Sequence, residues 1–189
     1  MANDNNTANV SIGKGVAGGY VFRAPAATAT VPTDNSTALG AGFECLGFIS
    51  EDGITESISV DSENYVDMNG DVVYVGKSSR EETITLTLIE VKAEALKVAY
   101  GASNVTDSAG TITVKHNSDD DGAYCYVFEL LMKNNRKWRQ VVPNATTTEV
   151  GDLTISSGEL VGREVTLMAA VDSNGDSVID YIDSTETSA

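Results

Sequence analysis

The chain has 189 residues, 41% hydrophobic content and a formal net charge of −16, so it can bury one sizeable core and we expect a single domain over residues 1–189. No apolar run approaches the roughly 18 residues of a membrane span, and the first ten residues lack the basic start and apolar stretch of a secretory signal. So acidic a protein is not expected to bind nucleic acid through phosphates, because such binding needs cations that displace counterions.

The first predicted element is a glycine-rich segment, residues 1–19, which we expect to be a flexible N-terminal arm. Its GKGVAG, Gly13–Gly18, has the spacing of a dinucleotide-binding loop. That loop needs a strand before it and a helix after it, whereas GYVFRAP follows here and is typical of a strand. VGKSS, Val75–Ser79, similarly lacks the upstream glycine of a phosphate-binding loop, since position 71 is Asp. We therefore expect no nucleotide cofactor, and no other cofactor.

Strands are predicted next. Apolar and polar residues alternate strictly in GITESISV (residues 53–60) and ETITLTLIE (residues 82–90), which predicts strands with one buried and one wetted face. The phase places Ile54, Ile58, Val60, Ile84, Leu86 and Leu88 towards the core. Residues 62–79 between them are interpreted as a long loop. Other strands are expected at GYVFRA, FECLGFIS, TITVKH, AYCYVFELLM, KWRQVV, DLTIS, REVTLMAAV and SVIDYI.

Only one helix is predicted, VKAEALKVAY at residues 91–100, with Gly101 as its C-cap. Turns are expected at the pairs Asp52-Gly53, Asn69-Gly70, Asp121-Gly122 and Asn174-Gly175, which tolerate positive φ. The fold class is therefore mainly β: a sandwich or barrel of antiparallel strands with one flanking α-helix. Residues 184–189 are expected to be a flexible C-terminus. Cys45 and Cys125 lie in strand-like sequence and are interpreted as reduced core thiols.

The sequence predicts no metal site and no catalytic site. DSNGDSVIDYID, Asp172–Asp183, has part of the spacing of a calcium loop, but position six is Ser177 instead of glycine and position twelve is Asp instead of Glu. A type I′ hairpin turn at Asn174-Gly175 is the preferred interpretation. His116 is the only histidine, and no nucleophile is paired with a base in local sequence. We expect that the protein binds no metal and is not an enzyme.

Charge is unevenly distributed along the chain. Between Arg23 and Lys77 there are nine acids and no Lys or Arg. The bases are densest in KNNRKWR, Lys133–Arg139. For an arbitrary acidic protein such an imbalance indicates solubility alone.

A resemblance to a known family gives the imbalance another meaning. It is carried by LGFISEDGITESISVD (Leu46–Asp61), the acidic excursion with its Asn-Gly pair, and ETITLTLIEVKAEALKVAYGASNV (Glu82–Val105). In this order they resemble the major tail tube proteins of long-tailed bacteriophages with flexible, non-contractile tails. The likeness is close from Leu46 to Val105 and looser elsewhere.

The resemblance implies a sandwich with a flanking helix that assembles into hexameric rings, which stack into a tube conducting genomic DNA. Two hairpins from each subunit would join a continuous inner barrel, and a long loop would reach a neighbouring subunit. The implied partners are further copies of the chain and other tail proteins (tape measure, tail terminator and distal tail protein), with double-stranded DNA passing without specific binding and no membrane. The implied location is the virion, after synthesis in the bacterial host cytoplasm. The chain is too short after Ile182 for the extra immunoglobulin-like domain of some relatives, so none is expected.

Site residues follow from combining the resemblance with the alternation. A one-residue slip would wet every aliphatic residue, so the polar sides of the two strands are expected to face the lumen: Thr55, Ser57, Ser59, Asp61, Glu81, Thr83, Thr85 and Thr87. The inter-subunit loop would carry Glu63, Tyr65, Asp67 and Asp71. A candidate interface partner is the basic turn with Lys133, Arg136, Lys137, Trp138 and Arg139; the alternative is a solvated hairpin tip with Trp138 in its own core.

Two other classes stay open. One is another virion ring protein, such as a tail terminator or head-tail connector, which would share a similar fold but stop at a single ring. The other is a calcium-dependent surface or carbohydrate-binding β-sandwich, suggested by the Asp-rich turns.

Overall fold

The computed structural model describes residues 5, 7–119 and 121–184. Within them lie eleven strands and one α-helix, α1 (Ala93–Tyr100). The strands are β1 (Lys14–Gly15), β2 (Val21–Pro25), β3 (Glu44–Cys45), β4 (Ile49–Val66), β5 (Val72–Leu88), β6 (Val105–Ser108), β7 (Thr111–Val114), β8 (Tyr124–Leu131), β9 (Lys137–Val150), β10 (Arg163–Ala169) and β11 (Ile179–Ile182). The described part of the chain contains no helix with the length and hydrophobicity of a membrane span.

Nine strands form one antiparallel sheet, and β6 and β7 form a separate hairpin. The main path of the sheet runs β3-β2-β8-β9-β10-β5-β4, with β1 added beside β8 and β11 beside β9. The long strand β9 organises this sheet, because β8 pairs along one edge while β10 and β11 share the other. The mainly β fold with a single flanking helix is thus confirmed.

The main core lies where the sheet curves back on itself. The alternation in β5 buries Ile84, Leu86 and Leu88, as predicted, at 0%, 3% and 4% exposure. Val165 and Leu167 of β10 continue this apolar face. It is closed by side chains from the other half of the sheet and from α1: Tyr126, Phe128, Val142, Ala95 and Val98. Full burial of a Val, Leu, Ile or Phe side chain in this core stabilises the fold by about 1.5–3 kcal/mol.

A second, smaller core lies on the opposite face of β8 and β9. Cys125, Val127 and Val141 are fully buried there. Strand β2, the segment between β2 and β3, and strand β11 cover them with partly buried side chains: Phe22, Ala29, Val31, Leu39, Phe43, Ile179 and Tyr181. Burial raises the pKa of the Cys125 thiol to about 12, and both Cys45 and Cys125 are free thiols, as expected.

The predicted helix is confirmed, but it begins later in the chain than predicted. It begins at Ala93, two residues after the predicted first residue, and Val91 is 64% exposed. Gly101 has φ +87°, and its N–H donates to the carbonyl of Lys97 at 3.0 Å. A side chain rarely adopts that backbone conformation, so glycine suits this C-cap.

Several local predictions were wrong or incomplete. DLTIS forms no strand, and Asp52-Gly53 is not a turn but a bulge in the continuous strand β4, between Ile49 and Ile54. Asn174-Gly175 does turn, but β10 and β11 both pair with β9 instead of with each other, and only the glycine has positive φ. β6 was missed because VTDS buries only Val105.

The two chain ends lie partly outside the described residues. Thr7–Asn9 forms a 3-10 turn, and β1, within the segment expected to be flexible, pairs Lys14 with Leu131. Residues 1–4 and 6 at the start and residues 185–189 at the end are not described.

Candidate functional site: a polar sheet face and an exposed arm

The eight residues assigned to a lumen occupy one face of the β4–β5 hairpin. The register pairs Thr55 with Thr85, Ser57 with Thr83 and Ser59 with Glu81. The opposite face of β5 carries the buried aliphatics of the main core. The alternation therefore predicted which residues share a face, although it does not by itself show what that face lines.

Strands β10 and β9 extend this polar face beyond the hairpin. Glu164 pairs with Thr87 and Thr166 with Thr85, and the two hydroxyls of Thr85 and Thr166 are 3.2 Å apart. β9 adds Glu149, opposite Thr166. We define the polar face as the following residues: Thr55, Ser57, Ser59, Asp61, Glu81, Thr83, Thr85, Thr87, Thr146, Glu149, Glu164, Thr166 and Met168. They include four acids and no base.

The additions from β10 and β9 were missed by sequence reasoning. The signal was present, because Glu164 and Thr166 alternate with the buried Val165 and Leu167. What the sequence does not contain is the pairing of β10 with β5, a contact between segments about eighty residues apart. That pairing joins two hairpins into one four-stranded polar surface.

Both lateral edges of the polar face lack a partner strand within the described residues. β4 pairs only with β5, and residues 146–150 of β9 pair only with β10. Such edges present rows of backbone N–H and C=O groups that can pair with another strand.

Residues 62–79, interpreted as a long loop, instead continue the hairpin. Glu63 pairs with Gly76 and Tyr65 with Tyr74, and the turn falls at the predicted Asn69-Gly70. We define the arm as residues 57–80, none of which belongs to either core cluster. All of them are exposed except Asp67 and Gly76, which are half-buried.

The predicted loop residues have different roles in the arm. The Tyr65 and Tyr74 rings pack at 5.7 Å between centroids, and the Tyr65 hydroxyl donates to Glu63 at 3.1 Å. Asp67 shapes the tip, since its carboxylate accepts from the backbone N–H groups of Asn69 and Asp71 at 2.8 and 2.9 Å. The hydrogen bonds from Asp71 and Asn69 lower the pKa of Asp67. Asp71 is exposed.

The prediction that Ile58 and Val60 face the core was wrong. They lie on the core side of the sheet, but their exposures are 53% and 44%. The reason is that β4 and β5 extend beyond the other strands of the sheet. On this side, the packing of the two strands against the body ends at Glu56 and Glu82. We call the side of the arm that carries Ile58 and Val60 its apolar face.

A carboxyl cluster closes the root of the arm. Glu82 is 3% exposed and accepts hydrogen bonds from Arg80 (2.9 Å) and from the Ser177 hydroxyl. Glu56 accepts from the Gln140 amide at 2.6 Å. Burial and a hydrogen bond with Glu82 raise the pKa of Glu56. Burial also acts to raise the pKa of Glu82, but hydrogen bonds from Ser177, Arg80 and Glu56 outweigh it and lower that pKa.

We expect Glu56→Gln to remove a pH-dependent weakness at this root. Because the folded-state pKa of Glu56 is raised, the folded protein loses stability as pH rises above about 4.3, the usual Glu value. The amide cannot ionise and can still donate to Glu82, so the variant should melt about 1–2 °C higher than the parent at pH 8, a modest shift because Glu56 retains solvent contact. Thermal unfolding between pH 4 and pH 8 measures this difference.

The control is Glu51→Gln, an exposed acid on the same strand. It should follow the parent at every pH. Parallel melting curves for the Glu56→Gln variant and the parent, with no divergence as pH rises, would contradict the role assigned to Glu56.

The basic turn Lys133–Arg139 is largely engaged within its own chain. The Trp138 indole N–H donates to Asp180 at 2.6 Å, and Arg136 donates to the Asp183 carbonyl. Arg139 is 4% exposed and binds Glu129 at 2.6 Å. Lys133 and Lys137 remain exposed.

The partial calcium spacing at Asp172–Asp183 does not form a cluster. The Asp172 carboxylate accepts from the backbone of Asn174 and Asp176 at 2.7 and 3.0 Å, so it shapes its own turn. Asp183 accepts from the backbone N–H of Lys137 and the amide of Asn35, both at 2.7 Å. Among the described residues, no group of three or more His, Cys, Asp or Glu side chains could hold a metal ion.

His116 lies at the surface, against an aromatic ring. It is exposed, and its ring packs on the Tyr100 ring at 4.5 Å between centroids.

Three solved structures that are similar to the chain have sequence identities of 14–17% and TM-scores of 0.42–0.46. The tube-terminating cap of the anti-feeding prophage has a TM-score of 0.46 and 14% identity, with 93% of this chain and 96% of that chain covered. The sheath/tube terminator of the PVC extracellular contractile injection system has a TM-score of 0.42 and 17% identity, covering 85% and 92%. The sheath-tube complex of the same system has a TM-score of 0.42 and 16% identity, covering 86% and 88%.

Sequence comparison gives the family. No curated protein sequence matches the chain. A family model described as phage tail tube protein matches residues 1–189, the whole chain. The chain therefore belongs to the phage tail tube protein family.

Proposed function

We propose that this chain is the tube subunit of a long-tailed phage of the flexible, non-contractile type, as its resemblance to those proteins suggests. Six copies form a ring, and rings stack into a tube through which genomic DNA leaves the capsid. The role is structural: no catalytic residue, cofactor or metal is part of the proposal. The protein is made and assembled in the bacterial host cytoplasm and functions in the virion, together with the tape measure, tail terminator and distal tail proteins.

The observation that carries the proposal is the polar face. Four strands present hydroxyls and four carboxylates on one side, with no base among them, and aliphatics on the other. Duplex DNA carries one negative charge per roughly 1.7 Å of its axis. The Debye length is about 8 Å at physiological salt, so only wall charges close to the duplex act on it, and in a narrow tube many are close. A wall of this composition repels phosphates, and DNA slides without binding.

The two unpaired edges support closure into a ring. Residues 146–150 of β9 in one subunit can pair with the free edge of β4 in the next, which continues the polar face around an inner barrel. Closure removes the exposed edges that would otherwise promote uncontrolled pairing. The exposed Lys133 and Lys137 are available for contacts with acidic surfaces of adjacent subunits or rings.

Electron microscopy of the purified protein tests the proposal. We expect dilute protein to give few particles and concentrated protein to give uniform hollow tubes with regular striations. Isolated rings that never stack would favour a tail terminator or head-tail connector instead. Featureless monomers at all concentrations, also after addition of a tail-tip complex as initiator, would contradict the tube.

A further inference from the structure

The apolar face of the arm is an exposed surface with its own charge. It continues from Ile58 and Val60 to Val66 and Val75, each between 44% and 58% exposed. Lys77 lies on the same face, opposite Ser62, and forms no ion pair within the described residues. Between the root and the tip this face carries no acid. It is therefore an apolar surface with a positive edge on an otherwise acidic protein.

A second exposed apolar surface lies on the body, beside α1. We call it the α1 patch: Val91, Leu153 and Ile155, which line one cavity and are 64%, 43% and 76% exposed, together with Leu160 of the same segment, which is 75% exposed. The segment 151–162 folds over α1 here and leaves a cavity of about 200 Å³. The exposed acids Asp152 and Glu159 directly precede Leu153 and Leu160 in the chain, and the charged residues that line the cavity itself are one acid and one base, Glu90 and Arg163. Its composition is therefore apolar with a negative edge, the complement of the arm.

We propose that the apolar face of the arm docks on the α1 patch of a second copy of this chain. The proposal rests on the proposed function, since it names the partner surface for an arm that a tube subunit must place. Large exposed apolar patches on soluble proteins mark interaction surfaces. The two patches of this chain are both apolar and carry opposite charge, and both stay exposed in the folded chain. A second copy of the chain can therefore cover each of the two patches with the other.

The dimensions of the arm fit this contact. From Ile58 to Val66 an extended strand covers about 26 Å at roughly 3.3 Å per residue. A compact chain of this length has a radius of gyration of about 16 Å. The arm thus extends far enough to lie along the body of an adjacent copy.

The type of contact also fits. A contact between two different surfaces of the same chain is heterologous, and it generates closed rings or open-ended stacks according to the rotation between copies. A self-complementary contact would stop at a dimer. Lys77 facing Asp152 or Glu159 would set the orientation, and the aliphatics would supply most of the buried area.

Cross-linking between two variants tests the contact directly. Val75→Cys on the arm is mixed with Ile155→Cys on the patch, in a Cys45→Ser background, and treated with a bifunctional maleimide. We expect a cross-linked dimer from the mixture and little from either variant alone. The matched control pairs Val75→Cys with Val171→Cys, which is 61% exposed and outside the patch.

The outcomes separate this inference from the proposed function. Tubes without a cross-link above the Val171→Cys control overturn the docking and leave the tube standing. A specific cross-link without tubes supports the docking and contradicts the tube. Neither tubes nor a cross-link contradicts both.

Charge reversal gives a second measurement. Lys77→Glu places an acid against Asp152 and Glu159, and like charges across an interface are strongly unfavourable, so the protein concentration needed for assembly should rise about tenfold or more. Adding Asp152→Lys and Glu159→Lys to that variant should restore assembly. Equal assembly by all three proteins would count against the assigned partner surface.

Discussion

Removing the outer part of the arm, residues 62–78, should leave the body folded and abolish the assembly of rings and tubes. The variant lacks residues 62–78 and joins Asp61 to Ser79 through Asn-Gly, which suits a two-residue hairpin turn. Neither core cluster includes an arm residue, so the melting temperature should change by only a few degrees, about the effect of 1 kcal/mol. Analytical ultracentrifugation and electron microscopy at concentrations where the parent forms tubes measure the loss.

Mixing the shortened protein with the parent sharpens this test. The variant keeps its α1 patch and can receive the arm of a parent subunit, but it cannot donate one. Small amounts should therefore end growing assemblies and shorten the tubes. Tubes of unchanged length and number in the mixture, or normal tubes from the shortened protein alone, would show that the arm has no part in assembly.

Local sequence patterns predicted the parts of the fold that local chemistry determines. The alternation in β5 gave its buried and polar sides, because a half-buried strand must place aliphatics at every second position. Gly101 gave the end of α1, because a glycine supplies the positive φ that this C-cap needs. Asn69-Gly70 gave the tip of the β4–β5 hairpin for the same conformational reason.

Long-range pairing was not predictable in the same way. β9 extends well past the predicted KWRQVV because β8, β10 and β11 supply partners along its two edges. β10 joins the polar face only through its pairing with β5. The bulge at Asp52-Gly53 likewise depends on the partner strand. The same residue types favour a turn and a bulge, so the local sequence does not distinguish the two.

The exposed arm shows where a monomer-based argument fails. Alternation placed Ile58 and Val60 in the core because aliphatics at every second position are usually buried within their own chain. In this chain the same pattern continues past the end of the body. A sequence pattern states that a face avoids water, but it does not state whether the cover comes from the same chain or from a neighbour.

The acids between Arg23 and Lys77 are close in sequence but have separate roles. Asp34 accepts hydrogen bonds from Thr37 and Ser36, which hold its pKa well below the usual value. Asp67 orders the tip of the arm, and Glu56 belongs to the cluster at its root. Asp61 lies on the polar face. The charge imbalance noted in the sequence is therefore not the charge of the polar face, whose other three acids, Glu81, Glu149 and Glu164, lie later in the chain.

Lysines placed on the polar face should leave the tube intact and slow the release of DNA. Ser57 and Glu164 are exposed, so Ser57→Lys with Glu164→Lys changes the wall from acidic to mixed charge without altering the core. In the proposed six-membered ring the two substitutions add twelve ammonium groups, and if six of them contact phosphates at about 0.5 kcal/mol per exposed ion pair, the attraction is about 3 kcal/mol per ring. Ejection should slow at least about tenfold, measured as dye fluorescence of DNA released from triggered particles.

Two features distinguish this effect from a general effect of added charge. Thr106→Lys, on the exposed strand β6 and outside the polar face, should leave ejection at the rate of the parent. The slowing should also weaken as salt rises, because each phosphate contact releases condensed counterions and its affinity falls with log[salt], with a slope of about −0.9 per contact. If the polar-face variant assembles and ejects like the Thr106→Lys control at low salt, the polar face does not line the DNA channel; if it fails to assemble, the face is a contact between subunits.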